Sequence, residues 1–464
     1  MSRLREFRSD VVALLRLAVP IVSIQVGYML MGVVETIIVG RVSAAALAAV
    51  ALGNIYFFTG IAFGMGVLFA LDPLVSQALG AGDDAQVTRS LQRALVLAIS
   101  LAIVASALFL PAESVLRLLG QPAEVVPLAG KFVRISIPGV LAFYLFVTLR
   151  QTLQAMRRVA PIIVTMVAAN LLNAVLCAVL ALGLFGAPRL GVTGAAIAGT
   201  VSRWFMTILL AALTIRDLGH HLWPPRHDVL DRRALARMLA IGVPIGSQIL
   251  LEFGVFAVVG VIMGRFGMIP VAAHQVALNI ASLTFMVPLG VSSAATVFVG
   301  HAIGRGDVPT ARRASAAALA IAVGYMCCTA ATFIGIPRVL AAIYTPDLAV
   351  QALAIVLLPI AGVFQVFDGV QVVCIGLLRG LGDTRAPVWI NIFAFWGIGF
   401  PVSLLLGFTA GLGPRGLWWG LVVGLIGVAL LLLVRLRGRL RGQIERLVVD
   451  APSGPLAETP RSSV

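Results

Sequence analysis

Apolar residues in this chain fall into about twelve runs of roughly 20, each long enough to cross the hydrocarbon layer of a bilayer as an α-helix. They lie near 11–33, 45–72, 92–110, 132–149, 160–184, 191–213, 238–263, 271–300, 314–335, 350–377, 386–410 and 417–434. Polar residues collect in the short connections between runs and do not alternate through them. Lipid offers the backbone no hydrogen-bond partner, so each run is expected to be helical. The ten-residue alternating pattern of a membrane β-barrel is absent. The fold class expected is an all-α integral membrane protein with 12 transmembrane helices. The first run is too long for the apolar core of a signal peptide, and no small-residue cleavage site follows it.

The pattern repeats. Shifted by 224 residues, the chain matches itself without a gap over the first three runs of each half. Pro20 meets Pro244, Ser23 meets Ser247, and Gly40-Arg41 meets Gly264-Arg265. Gly66-Val67 meets Gly290-Val291, and Gly80, Gly82 and Asp83 meet Gly304, Gly306 and Asp307. Six spans per unit is an even number, so both copies insert the same way round, as parallel repeats about an axis along the membrane normal. The expected organisation is a six-helix lobe over 1–215, a linker over 216–237, a second six-helix lobe over 238–440 and a mobile polar tail over 441–464. Two such bundles around a cavity suit alternating access, one rocking against the other.

Composition agrees with a membrane protein: 60% of residues are hydrophobic and 11% charged, against about 25% charged in soluble domains. The net charge of +15 is not a nucleic-acid signal. With both termini placed in the cytoplasm, the basic residues concentrate on the inward side. They include Arg3, Arg5, Arg8, Arg89, Arg93, Arg150, Arg157, Arg158, the stretch Arg216–Arg237, Arg305, Arg312, Arg313, Arg379, Arg385 and Arg435–Arg441. That is the positive-inside bias, and it predicts a multi-pass protein of a bacterial-type inner membrane. Cys177, Cys327, Cys328 and Cys374 all lie within runs, with no C-x-x-C pair or metal-ligand spacing. No phosphate-binding G-x-x-x-x-G-K-[ST] loop, G-x-S-x-G or H-E-x-x-H is present, so neither ATP-driven transport nor an enzyme is indicated.

Four carboxylates interrupt the apolar runs: Glu35, Asp72, Glu252 and Asp368. A charge at mid-bilayer costs roughly 2.5–3.5 kcal/mol on insertion scales, so such groups face a bundle interior or a wet cavity and mark paths for ions or substrates. Glu252 lies 15 residues past Arg237 and Asp368 lies 11 before Arg379, or roughly 22 and 16 Å of helix from the same side. At these depths they can share a site. Two close carboxylates cannot both ionise cheaply, so the pair would hold a proton or a hard cation such as Na⁺; two unconnected acids are the alternative. Glu35 is six residues before Arg41, either a cation or proton site or a solvated acid near the surface. Asp72, before Pro73, either takes part in function or caps a broken turn or pairs with an inward Arg. The duplication does not extend to the acids: Glu35 meets Val259 and Glu252 meets Tyr28. Asn173 and Cys177, one turn apart, with Asn170, are candidates to line the cavity or to bond between helices. Phe285, Met286 and Phe364 are candidates for the wall around a lipophilic cation. His274 is expected to make an interhelical bond.

Several ordered motifs resemble the MATE (multidrug and toxic compound extrusion) family, NorM-type branch. They are Met31-Gly-Val-Val-Glu35-Thr, Gln77-Ala-Leu-Gly80-Ala-Gly-Asp83, Ala272-Ala-His274-Gln275-Val-Ala-Leu-Asn279, Phe285-Met-Val-Pro288-Leu-Gly290 and Leu378-Arg379-Gly-Leu-Gly-Asp383-Thr-Arg385-Ala-Pro387. The resemblance runs from about Ala18 to Arg435. It implies two pseudo-twofold-related six-helix lobes in a V, and export of organic cations or drugs in exchange for Na⁺ or H⁺. It also implies a cation site at Glu252 and Asp368, with aromatics at Phe285 and Phe364 beside it and a first-lobe acid at Glu35. Glu35 stands where NorM-type proteins commonly have Asp, Phe364 where a sodium-coupled relative has Tyr, and Cys177 where the second Asn of a pair is usual. The alternatives are a lipid-linked saccharide flippase, for which a basic cavity would be expected, and an ion channel or membrane receptor. The partners expected are small lipophilic or cationic substrates and membrane lipid, with no nucleic acid. The expected working form is a monomer, and no cofactor is expected beyond the coupling ion.

Overall fold

The computed structural model describes residues 2–442 and 444–450. Among the described residues, twelve helices long and apolar enough to cross a membrane occur at the positions of the twelve runs. They are α1 (Ser2–Gly40), α2 (Ala44–Gly80), α3 (Asp84–Phe109), α4 (Val126–Ala155), α5 (Ala160–Leu182), α6 (Val192–Leu222), α7 (Arg232–Met263), α8 (Met268–Gly304), α9 (Val308–Gly335), α10 (Leu348–Gly380), α11 (Arg385–Thr409) and α12 (Pro414–Arg441). No strand occurs among the described residues. Most helices run past their apolar segment. Once started, a helix adds a hydrogen bond for each residue fixed, so it continues until a cap or a breaker stops it.

The breakers are legible. Pro20, Pro138, Pro244, Pro288 and Pro359 sit inside helices. Pro73 has no N–H to give, and α2 divides just before it into Ala44–Leu68 and Leu71–Gly80. In α11 two stretches, Asn391–Gly399 and Leu405–Thr409, widen to π-helix.

Four helices on the face that carries both termini end in the same way. At 78–83, 153–158, 302–307 and 378–383 the sixth N–H returns to the first carbonyl at 2.8–2.9 Å, and the fifth N–H returns to the second carbonyl. This double return is the Schellman stop, which needs a left-handed residue at the fifth position. Gly82, Gly306 and Gly382 supply it at φ 70°, 73° and 79°, whereas Arg157 adopts φ 60° with a side chain. Asp83 and Asp307 then cap the next helix, each accepting an N–H at 3.0 Å, as N-cap acids do.

The apolar cores follow the duplication, with an exchange. Leu14, Leu17, Ala18 and Ile21 of α1 join the core built by α7–α12, while Ala234 and Met238 of α7 join the core built by α2–α6. Each half thus lends the start of its first helix to the other. The seam between halves is built on backbone contact. A Cβ on Gly66 would stand 2.5 Å from Gly246 Cα, and one on Gly80 would stand 2.3 Å from the His301 carbonyl oxygen. Polar side chains also cross the seam: Gln77 Nε2 donates to the Gly380 carbonyl at 2.9 Å, and His301 Nε2 bonds the Ala155 carbonyl at 2.8 Å. These contacts lie between mid-span and the termini-bearing face. Gly27, Gly53, Gly60, Gly254 and Gly260, nearer the other face, meet only their own half.

The expectation of a mobile tail from Arg441 onward does not hold for residues 444–450. Val449 is 3% exposed in the core of the first half, and its neighbours are bonded to side chains of that half. Residues 451–464 lie outside the described residues.

If the seam depends on backbone contact, Gly246→Leu will lower the melting temperature of the detergent-purified protein, since overpacking costs about 1–3 kcal/mol. Gly324→Ala, where a Cβ meets nothing within 4 Å, will not lower it. Thermal unfolding of the two variants beside the parent checks this.

Candidate functional site

Each half holds buried acids, and the surroundings differ. In the first half Glu35 is 6% exposed, so it is not a solvated surface acid. Asn54 Nδ2 donates to Glu35 Oε2 at 3.2 Å, while Oε1 is buried without a partner. Arg203 of α6 and Cys177 of α5 are both within electrostatic reach of this carboxylate. Arg203 is half-buried; its guanidinium carbon sits 4.1 Å from the Phe57 ring centroid, and its Nη1 is buried and unpartnered. Glu35, Asn54, Cys177 and Arg203 therefore converge from α1, α2, α5 and α6.

Asn173, one turn from Cys177, is 1% exposed with an unpartnered Oδ1. Asn170 donates to the Gly27 carbonyl at 3.2 Å, an interhelical bond between α5 and α1. Asp72 sits where α2 divides, 1% exposed. Gln151 Nε2 donates to its Oδ2 at 2.8 Å, and Arg379 Nη1 of the second half stands 3.9 Å away. Asp72 thus pairs with an arginine from the termini-bearing end, and it does so across the seam.

In the second half Asp368 of α10 is 7% exposed and Glu252 of α7 is half-buried. The two lie close enough for the charge on Glu252 to act on Asp368. Neither carboxylate forms a salt bridge among the described residues, whereas Asp72 has Arg379 within 3.9 Å. Aromatic rings close the surroundings. Phe364, one turn before Asp368, is 3% exposed and meets Phe256 and Trp418 edge-on at centroid distances of 5.9 and 5.7 Å. It is therefore packing behind the acid more than an open wall. Trp396 Nε1 of α11 donates to the Leu251 carbonyl at 3.1 Å, next to Glu252. Phe285 and Met286 are half-buried on α8, with Phe285 against the core of the second half. His274 is 1% exposed and edge-on to Trp418 at 5.6 Å. Neither of its ring nitrogens has a hydrogen-bond partner, so the interhelical bond expected for it is not made.

Asn54 and Arg203 join the site without having been marked by the sequence pattern. Arg203 is the one charged residue in the run 191–213, which is the signal that marks the acids; Asn54 shares its run with Asp72 and stands out less. On the termini-bearing face Asp84, His220 and His221 offer ligand atoms within 4.8 Å of one another, although no spacing announces them. Arg226 lines a pocket with Asp84 and His220.

The family model MatE matches residues 20–179 and 244–405. A probable multidrug resistance protein NorM of Agrobacterium fabrum is 37% identical over 435 residues, covering 91% of this chain and 92% of that one. Its counterpart in Rhizobium meliloti is 36% identical, covering 90% and 91%. Among solved structures, the eukaryotic MATE transporter AtDTX14 superposes with a TM-score of 0.86 at 24% identity, over 94% of this chain and 98% of that one. An outward-facing multidrug resistance MATE family transporter of the MOP superfamily gives 0.84 at 22% identity, over 93% and 96%.

If Arg203 balances the buried charge of Glu35, removing either group leaves the other less compensated. Arg203→Met and Glu35→Gln are each expected to lower the melting temperature. The double variant should lose less than the sum, a non-additivity that a thermal double-mutant cycle measures.

Proposed function

The chain belongs to the MatE family, and on that premise we propose that it is a secondary active multidrug efflux antiporter that exports organic cations in exchange for H⁺ or Na⁺. One observation carries the reading. Glu252 and Asp368 lie within reach of each other's charge in an apolar bundle and form no salt bridge among the described residues, whereas Glu35 has Arg203 within electrostatic reach and Asp72 has Arg379 at 3.9 Å. Two close carboxylates cannot both stay ionised without a positive charge. The second half must therefore take its cation from outside, and a proton or Na⁺ arriving there is the coupling step.

In this reading the cargo is a small lipophilic cation. Its path is the cleft between the halves, with Glu35 and Asn173 on the first-half side and Phe285 and Met286 on the second, backed by Phe364. The near relatives named as multidrug resistance proteins support that class of cargo. Binding of the coupling ion at Glu252 and Asp368 favours one arrangement of the halves and binding of cargo the other, because a ligand shifts an equilibrium only by its differential affinity for the two states. The concentration of arginine on the termini-bearing face supports placing that face in the cytoplasm of a bacterial-type inner membrane. The cleft forms within one chain, so the working unit is a monomer.

The test is efflux of a cationic dye from proteoliposomes under a sodium gradient and a proton gradient imposed separately. Wild type should respond to one of them. Glu252→Gln and Asp368→Asn should each abolish the response, while Glu35→Gln should reduce it only in part. Dye movement that survives both second-half changes would place the coupling ion elsewhere and overturn the assignment.

A further inference from the structure

The seven residues 444–450 follow α12, so they are rooted in the second half, yet they are held by the first. Their root is fixed: Arg435 Nε donates to Asp383 Oδ2 at 2.7 Å, and Arg312 Nε donates to the Leu440 carbonyl at 2.8 Å. Ile444 still packs on the core of the second half.

From there the segment crosses the seam. Leu447 N–H donates to Gln77 Oε1 at 2.7 Å, and the Leu447 carbonyl accepts from Gln86 Nε2 at 3.0 Å. Two glutamines of the first half thus take both main-chain groups of one residue. The Leu447 side chain lies in the seam itself, beside the first-half core and against Gly382 of the second half. Arg446 Nη2 bonds Asp83 Oδ2 at 2.6 Å and Gln86 Oε1 at 2.5 Å. Val449 enters the first-half core and its carbonyl accepts from Arg237 at 2.7 Å. Asp450 closes the chain of contacts, 2.5 Å from Arg89 Nε and 2.7 Å from Arg93 Nη1.

Gln77 is the crossing point. Its amide nitrogen holds the Gly380 carbonyl of the second half while its oxygen holds the segment. Parting of the halves on this face must break the first bond and must drag or release the second. Partial burial works against the charge on Asp83, but the Gln86 N–H and the Arg446 guanidinium outweigh it and hold its carboxyl below the usual range. The acid is therefore ionised, and available to Arg446, at neutral pH.

We propose that residues 444–450 are a strap that locks the termini-bearing face shut, so that its release is a step in opening the cleft to that side. The inference rests on the reading of the protein as an alternating-access transporter. It adds that the equilibrium between the two arrangements is set partly outside the membrane, by a segment that touches neither cargo nor coupling ion. The docking is by charge, by three main-chain bonds to side chains and by the burial of Val449, contacts that can be made and broken without disturbing the helices.

The test reads opening of the seam directly and needs no cargo or gradient. In a background without native cysteines, Ser76→Cys places a thiol at a seam position that is fully buried when the face is shut. Its reaction with a membrane-impermeant maleimide is timed in nanodiscs. Adding Arg446→Ala and Asp450→Ala should speed labelling roughly 5- to 30-fold, the population change that one or two kcal/mol produces. Asp450→Glu alone, which keeps the charge, should leave it slow. Ala98→Cys, buried within the first half, reports general loosening and should stay unreactive. An unchanged rate at Ser76→Cys in the strap variant would overturn the proposal, as would an equal rise at Ala98→Cys. Because labelling is independent of transport, it tests the strap even in a protein that exports no dye.

Discussion

A charge taken out of water must meet an opposite charge or leave its site neutral, and the two halves of this protein meet that demand differently. Glu35 and Asp72 have arginines supplied by the chain. Glu252 and Asp368 have each other, which worsens the problem rather than solving it. The repeated scaffold makes the contrast plain, since two copies of one six-helix unit would be expected to solve the same problem in the same way. A bundle whose charges were all balanced internally would have no need of a coupling ion. The second-half pair has no such balance, and the rings of Phe256, Phe364 and Trp418 pack beside Asp368 rather than any positive charge.

The seam has to hold and also to part. Backbone contact through Gly66, Gly246 and Gly80 brings helices close with little side-chain entropy to lose, and it gives dispersion contact along the seam. Such contact is tight but short in range: a small separation forfeits much of it. The polar links at Gln77, His301 and Arg379 add direction to the fit. Asp72 ties charge balance to the seam, since its partner Arg379 comes from across it.

Most of the architecture is legible in the sequence because the bilayer restricts the choices. An apolar run of 20 residues has one stable form in lipid, and six spans per repeat fix the relative orientation of the copies. Glu252 and Asp368 are legible as a site because their distances from flanking arginines put them at similar depth. Arg203 carries the same signal, as the one charge in the run 191–213, but nothing in the sequence says which acid it faces until its place in the bundle is known. The docking of residues 444–450 is hidden for a related reason. Their partners Gln77, Asp83 and Gln86 are some 360–370 residues away, and no local period or propensity encodes a contact at that separation.

One turn breaks the pattern of the four helix stops. Three give the left-handed position to glycine, and the fourth gives it to Arg157, where a side chain makes the same backbone costly by about 1–3 kcal/mol. The side chain kept there reaches across to the second half, with its guanidinium 4.2 Å from the centre of the Phe298 ring. A glycine would relax the turn and lose the contact. Arg157 therefore gives up backbone ease for a grip: the turn that stops a helix of one half is also the point from which a guanidinium rests on a ring of the other.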